Sequence, residues 1–325
     1  MISIAMTTYN GENYLREQLD SILNQTYSDF ELIICDDFSK DNTRLILSEY
    51  AAKDSRIKIF FNEENLGFKK NFEKSISLCS GEYIAFSDQD DIWLNNKLEM
   101  SIKYIGNNYL LCTDAICVNE DGKSLKYTMK EVIHYKCKST EIIQKHLVVS
   151  NFVQGATIFA RADFIRNHLP IPNEFEYHDW YYGILAAVDN KLIYLDAITL
   201  KYRQHTSQVT INKKKNIVNN ILDLKYVDFY RKNIQNIIRC EFISKSSIFP
   251  KHIQDFAQNC ERYFKLLNTN KNMWTYRFYF KNYRYFNLDN NVLHKILKKH
   301  KRLLGVLKFQ LKTKRISKNQ KGIHS

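Results

Sequence analysis

The sequence predicts an α/β protein, with a mostly parallel central sheet flanked by helices and an α-helical C-terminal region after it. Three observations predict this. Over the first hundred residues, short apolar runs alternate with segments of helical spacing, the pattern of parallel strands joined by crossover helices. Seven of the nine glycines precede residue 206, so tight-turn chemistry is concentrated in the front of the chain. Beyond 206, Ile, Leu, Tyr and Phe recur at helical spacing among Lys and Asn, which predicts about three or four helices and little sheet.

In order, residues 2–6 read as a strand, and 14–23 as a helix with Leu15, Leu19, Ile22 and Leu23 on one face. Strands follow at 30–35, 57–61 and 83–86, separated by helices at 43–51 and 68–78. Such sheets bind ligands beyond the carboxyl ends of their strands. A site is therefore expected in the loops at 7–11, 36–41, 62–67 and 87–93, all rich in Asp, Asn, Ser, Thr or Gly. From 96 to 205 the pattern is mixed, with strands near 110–118, 156–160 and 191–204 and helices near 95–105, 161–168 and 179–188.

Charge divides the chain in the same place as the glycines. Residues 1–205 carry 22 basic and 29 acidic side chains (net −7), whereas 206–325 carry 26 and 6 (net +20), giving the overall +13. Two parts with different partners are implied. With 44% apolar residues the chain is not a disordered one. Its seven cysteines form no CxxC pair, which argues against a zinc site or a disulfide framework and for buried, reduced thiols in a cytosolic protein. The N-terminus has no basic leader, and no apolar run approaches the roughly 18 residues of a spanning helix.

The densest chemical signal is Ser87-Asp88-Gln89-Asp90-Asp91-Ile92-Trp93, where a buried strand runs into three carboxylates. Packed together they repel one another unless a cation sits among them, and hard oxygen ligands of this kind suit Mg²⁺ or Mn²⁺. The plainer reading is a solvated acidic turn, or Asp91 as the cap of the following helix. A second pair, Asp36-Asp37, ends the second strand, where an acid commonly meets a ribose or base edge. No GxGxxG follows strand one and no GxxxxGK[ST] occurs, so dinucleotide cofactors and P-loop chemistry are excluded. A nucleotidyltransferase would need a glycine-rich basic loop where Thr8-Tyr9-Asn10-Gly11-Glu12 stands.

These motifs recur in a fixed order: Thr8-Tyr9-Asn10, Leu23-Asn24-Gln25-Thr26, Cys35-Asp36-Asp37-x-Ser39-x-Asp41-x-Thr43, Asn65-Leu66-Gly67 and Ser87-Asp88-Gln89-Asp90-Asp91. Together they resemble family 2 glycosyltransferases, inverting and metal-dependent enzymes of the GT-A fold. The resemblance covers about residues 1–205. It implies a catalytic domain there, with a nucleotide-sugar half at about 1–95 and an acceptor half at about 96–205. The Ser87–Trp93 variant, with Tyr177-His178-Asp179-Trp180 and Tyr202-Arg203-Gln204-His205, resembles the bacterial rhamnosyltransferase-like branch.

The resemblance implies a donor of the nucleotide-diphosphate-sugar class held by Thr8, Tyr9, Asn10, Asp36 and Asp37. Asn65, Gly67, Lys70, Asp88 and Gln89 would complete that site. It places Mg²⁺ or Mn²⁺ on Asp90, Asp88 and His205, and makes Asp179 the catalytic base. Gly155, His178 and Trp180 would meet the acceptor, a glycan or lipid-linked oligosaccharide. The implied donor is dTDP-L-rhamnose, with a UDP-hexose or UDP-N-acetylhexosamine as the alternative. One departure is visible: after the histidine the family often has a glycine- and asparagine-rich loop, and here the chain reads Thr206-Ser207-Gln208-Val209-Thr210.

The basic end, 291–325, holds eleven Lys/Arg and no acid, with Leu293, Ile296, Leu297, Leu303, Leu304, Val306 and Leu307 as an interrupted apolar stripe. Phe278, Phe280, Tyr283, Tyr285 and Phe286 add aromatics upstream. The pattern predicts an element lying on an anionic membrane surface, and hence a cytoplasmic protein peripheral to the inner face of a bacterial cell membrane. The competing reading is a helical subdomain packed on the catalytic part, its lysines solvating the outer face. A nucleic-acid-binding protein is the reading from another class. No helix-turn-helix, RRM or zinc-finger signature supports it, and no nucleic acid partner is expected.

Overall fold

The computed structural model describes residues 1–133, 139–206, 208, 221–269, 273–282, 285 and 286. The expected alternation is present: β1 (Ile2–Thr8), α1 (Leu15–Leu23), β2 (Phe30–Asp36), α2 (Thr43–Ala51), β3 (Ile57–Phe61), α3 (Phe68–Leu78) and β4 (Tyr83–Ser87). Then come β5 (Ile92–Trp93), α4 (Lys97–Ile105), β6 (Leu110–Val118), β7 (Ser124–Thr128), α5 (Met129–Val132) and α6 (Thr140–Val149). A 3₁₀ turn at Gly155–Thr157 leads into β8 (Phe159–Arg161), α7 (Ala162–Asn167), α8 (His178–Val188) and β9 (Leu192–Arg203). Three helices follow: α9 (Ile221–Lys245), α10 (Lys251–Thr269) and α11 (Met273–Asn282).

The strands form a sheet in the order β3-β2-β1-β4-β8-β6-β9-β5, with β7 on β6. β3, β2, β1 and β4 run parallel, while β8 is antiparallel to both β4 and β6. β1 and β2 are buried almost throughout, as strands covered on both faces must be. Strand order reverses at β1, which has β2 on one side and β4 on the other. At such a reversal the connections leave to opposite faces and open a crevice at the carboxyl ends. Thr8 lies opposite Asp36 and Met6 opposite Ser87, so the loops after β1, β2 and β4 meet there.

Three short elements differ from expectation. β5, β7 and α5 are too brief for a periodic signal, and β5 forms only because Ile92 and Trp93 pair with Lys201 and Leu200 of β9. Asp91 does not cap a helix: α4 begins at Lys97 with Asn96 as its N-cap, and Asp91 is fully buried. Cys35, Cys79, Cys112, Cys117, Cys240 and Cys260 are free and buried, matching the thiols expected. α9 and α10 pack on each other and on α6. By contacts Met1–Tyr285 is one compact unit and Phe286–Ser325 a second, so the change of charge at 205 falls inside the first. The basic stripe at 291–325 lies outside the described residues, as does most of the loop after His205. Among the described residues no helix is long and apolar enough to cross a membrane.

Candidate active site

The loops after β1 and β2 are cross-braced by side chains. Asp36 is wholly buried and accepts hydrogen bonds from Thr8 Oγ1 (3.1 Å), the Ser39 N–H (3.1 Å), Ser39 Oγ and Arg44 Nε (2.7 Å). Its oxygens are thus engaged by partners within the protein, which hold the loops after β1 and β2 together. Asp37 is committed in the same way. Its carboxylate takes Asn62 Nδ2 (2.9 Å) and the N–H groups of Leu66 (2.7 Å) and Gly67 (2.9 Å). It thereby fixes the turn containing Asn65, where Gly67 has φ +79°, a conformation that favours glycine.

Asn10 receives a hydrogen bond from the Lys40 N–H on Oδ1 (2.9 Å) and donates its own N–H to Ser39 Oγ (2.9 Å). Gln89 grips Tyr9 twice: the Tyr9 N–H donates to its Oε1 (2.8 Å) and its Nε2 donates to the Tyr9 carbonyl (3.0 Å). Gln89 therefore acts as a peptide-like clamp that fastens the β1 loop to the acidic loop. The Tyr9 ring is 48% exposed and borders the crevice. Lys70 lies exposed on α3, paired with Glu73 (2.7 Å).

The acidic loop is held from below. Gln18 Nε2 donates to Ser87 Oγ (2.8 Å) and to the Asp88 carbonyl (3.1 Å). The wholly buried Arg203 donates from its backbone to Asp91 Oδ1 (3.1 Å) and from Nε to the Asp90 carbonyl (2.8 Å), and its remaining nitrogens reach Glu120 O and Glu17 Oε2. Burial, then the charges of Asp90 and Asp179, pushes Asp88 up to about 7. Asp91 is pushed well above the usual range by burial and by Asp90 and Asp88. Lys97, equally buried, is driven down to about 7 by desolvation against the pull of Asp91 and Asp88.

His205 Nε2 lies 2.7 Å from Asp90 Oδ2, with the imidazole against the Tyr14 ring at 4.6 Å. Asp91 Oδ2 is buried and unpartnered among the described residues. Buried carboxylates, an orphaned oxygen and an adjoining imidazole form a donor set that fits a divalent cation. Among the described residues no three His, Cys, Asp or Glu side chains converge as a closed cage. Asp90 and His205 are the pair in contact, and the charge of Asp90 reaches Asp88. An open pair suits a cation that keeps positions for phosphate oxygens and water.

Facing this group is the start of α8. Asp179, in its first turn, accepts from Asn151 Nδ2 (2.9 Å) and from the Gly155 N–H (3.0 Å). Burial lifts its carboxyl to about 7, against the lowering effect of the Trp180 and Gly155 N–H groups and Asn151. A carboxylate poised near neutrality and oriented by two donors is suited to take a proton. Trp180 Nε1 donates to the Leu147 carbonyl (2.6 Å), and Arg239 of α9 lies 3.5 Å over its ring. His178 precedes Asp179 at the start of α8. It is buried, wedged between Phe72 and Phe86 (4.3 and 5.2 Å), and backs onto Gly155. Spacing could not reveal Asn151, Lys97, Arg203 or Gln18, whose partners are distant in sequence.

A model of glycosyl transferase family 2 matches residues 3–167. The chain is similar to the UDP-Glc:alpha-D-GlcNAc-diphosphoundecaprenol beta-1,3-glucosyltransferase WfgD of Escherichia coli, 30% identical over 223 residues, 67% of this chain and 82% of that one. It is also similar to the dTDP-rhamnosyl transferase RfbG of Shigella flexneri, 29% identical over 253 residues, 71% of this chain and 83% of that one. Among solved structures, residues 1–349 of S. aureus TarS in complex with UDP-GlcNAc align with a TM-score of 0.58 at 19% identity, covering 83% of this chain and 74% of that one. The mannosyltransferase PcManGT of Pyrobaculum calidifontis, in complex with GDP-Man and Mn²⁺, aligns at 0.52 and 13% identity over 82% and 70% of the two chains. Both alignments show a shared GT-A fold.

Proposed function

The chain belongs to glycosyl transferase family 2, and from that premise we propose that it is an inverting, metal-dependent transferase. It moves a sugar from a nucleotide-diphosphate donor to a hydroxyl of a lipid-linked glycan during cell-surface polysaccharide assembly. One observation carries the reading: Asp90 in contact with His205, and near them Asp179, held by Asn151 and Gly155 and close enough for its charge to act on Asp88. Inversion needs the leaving group and the attacking hydroxyl on opposite faces of the sugar, with a separate group serving each.

Asp179 takes the proton of the acceptor hydroxyl, which contributes about 10²–10⁴ in rate. The Gly155 N–H and the Asn151 amide fix its carboxylate plane. Asp90 and His205, with the charge of Asp88 beside them, would hold Mg²⁺ or Mn²⁺; when bound, the cation supplies positive charge for the departing diphosphate. The Mn²⁺ of the PcManGT complex supports this by analogy. Tyr9 and the Asn65–Gly67 turn line the donor side, and Trp180 lies beside the base on the acceptor side. The catalytic domain would span about 1–205, and 206–325 would place it at the cytoplasmic face of the membrane, where a lipid-linked acceptor is found.

For the donor we favour dTDP-L-rhamnose, supported by the Ser87–Trp93 motif and by the similarity to RfbG. A UDP-hexose is the second reading, favoured by the similarity to WfgD. Thermal stabilisation by dTDP-rhamnose, UDP-glucose and UDP-N-acetylglucosamine, each with Mn²⁺, separates them. A shift of several degrees with dTDP-rhamnose alone is expected, and a shift with a UDP sugar alone replaces the rhamnose assignment.

A further inference from the structure

We infer that Lys97 is a positioning residue that joins the two sides of this crevice. Its ammonium is the internal counter-ion of the Asp88–Asp91 group and the tether of the turn that orients Asp179. Lys97 opens α4 and is 1% exposed. Nζ donates to the Ala156 carbonyl at 2.7 Å and lies 4.6 Å from the centre of the Trp93 ring. Ala156 sits in the 3₁₀ turn Gly155–Thr157, whose Gly155 N–H donates to Asp179. The charges of Asp91 and Asp88 act on the same ammonium.

Burying an ammonium costs several kcal/mol unless hydrogen bonds and opposite charge compensate it, and removing one partner of such a group leaves the other uncompensated. A buried cation belongs in such a place only against negative charge. A mobile surface lysine could not balance that charge, because water and salt would screen it. The stem of Lys97 is fixed by α4 and by Trp93, so its charge stays put. A single group thus spans from the donor-side carboxylates to the carbonyl of the residue that follows the one whose N–H aims the base.

The inference rests on the transferase reading, and the test separates the two. Four proteins are compared: wild type, Lys97→Met, Asp91→Asn, and the double variant. If lysine and carboxylate balance each other, each single change lowers the unfolding midpoint, by on the order of 5–10 °C for Lys97→Met. The double variant then regains more than half of the combined loss. Additive losses overturn the counter-ion. This cycle needs no substrate, so it judges Lys97 even if wild type consumes no nucleotide sugar, an outcome that sinks the transferase reading alone. In transfer assays the restabilised double variant should remain about 10²-fold below wild type in kcat, because the tether is still missing. Lys97→Arg, which keeps charge and donors, should recover part of that loss. Full kcat in the double variant overturns the tether.

Discussion

Asp179 sets the most direct residue-scale expectation. Its carboxyl is raised to about 7, and only the ionised form can take a proton. Below pH 7 the ionised fraction falls tenfold per unit, so kcat/KM should fall about tenfold per pH unit there and level off above. A flat profile from pH 5.5 to 8.5 would remove Asp179 from the role of base. Asp88 and Asp90 stood out in the sequence because a strand end followed by acids is a local signal, and the proposed roles of Asp179 and His205 came from short ordered motifs. Asp36 and Asp37 stand at the strand end expected, where they also brace the neighbouring loops through internal hydrogen bonds. Sequence shows an acid at a strand end; it does not show how many N–H groups already reach it. Lys97 was invisible, and the bracing role of Arg203 within its motif went unread, for the related reason that a buried cation is defined by distant partners.

Elements hold these residues in register, and two substitutions test that. A Cβ on Gly155 would lie 3.0 Å from His178 Nε2, and His178 cannot retreat because Phe72 and Phe86 flank it. Gly155→Ala should displace the turn, lowering kcat by about 10²-fold while the thermal shift on adding a donor persists. An unchanged kcat would show that the turn does not aim the base. Arg203 ties β9 to the acidic loop and α1 from a buried position. Arg203→Met should cost about 3–5 kcal/mol in urea unfolding, since it strands Asp90 O, Glu120 O and Glu17 together. A cost below about 1 kcal/mol would mean water replaces it. The first seven elements were legible because short apolar runs there alternate regularly with segments of clean helical periodicity. β5 and β7 were not, since two- and five-residue strands owe their existence to pairing with β9 and β6.

Across the whole molecule, charge separates chemistry from address. On the proposed metal-dependent reading, the carboxylates within the −7 of residues 1–205 would take a cation before a diphosphate approaches, so EDTA should abolish transfer and Mn²⁺ or Mg²⁺ restore it. Full activity in chelator would refute the metal role. The +20 of residues 206–325 should bind vesicles containing phosphatidylglycerol, by about 1 kcal/mol per nearby Lys or Arg, and release them as salt rises. Equal affinity for oligonucleotides would favour the nucleic-acid reading instead. The central claim is that one crevice activates an acceptor hydroxyl through Asp179 opposite a donor held near Asp90 and His205. Its most direct test is the rate of sugar transfer by wild type and Asp179→Asn, with the same nucleotide sugar, Mn²⁺ and a lipid-linked acceptor. A loss of about 10²–10⁴ with donor binding retained, and an inverted anomeric configuration in the wild-type product, is the result expected. Equal rates for the two proteins, or a product of retained configuration, would contradict it.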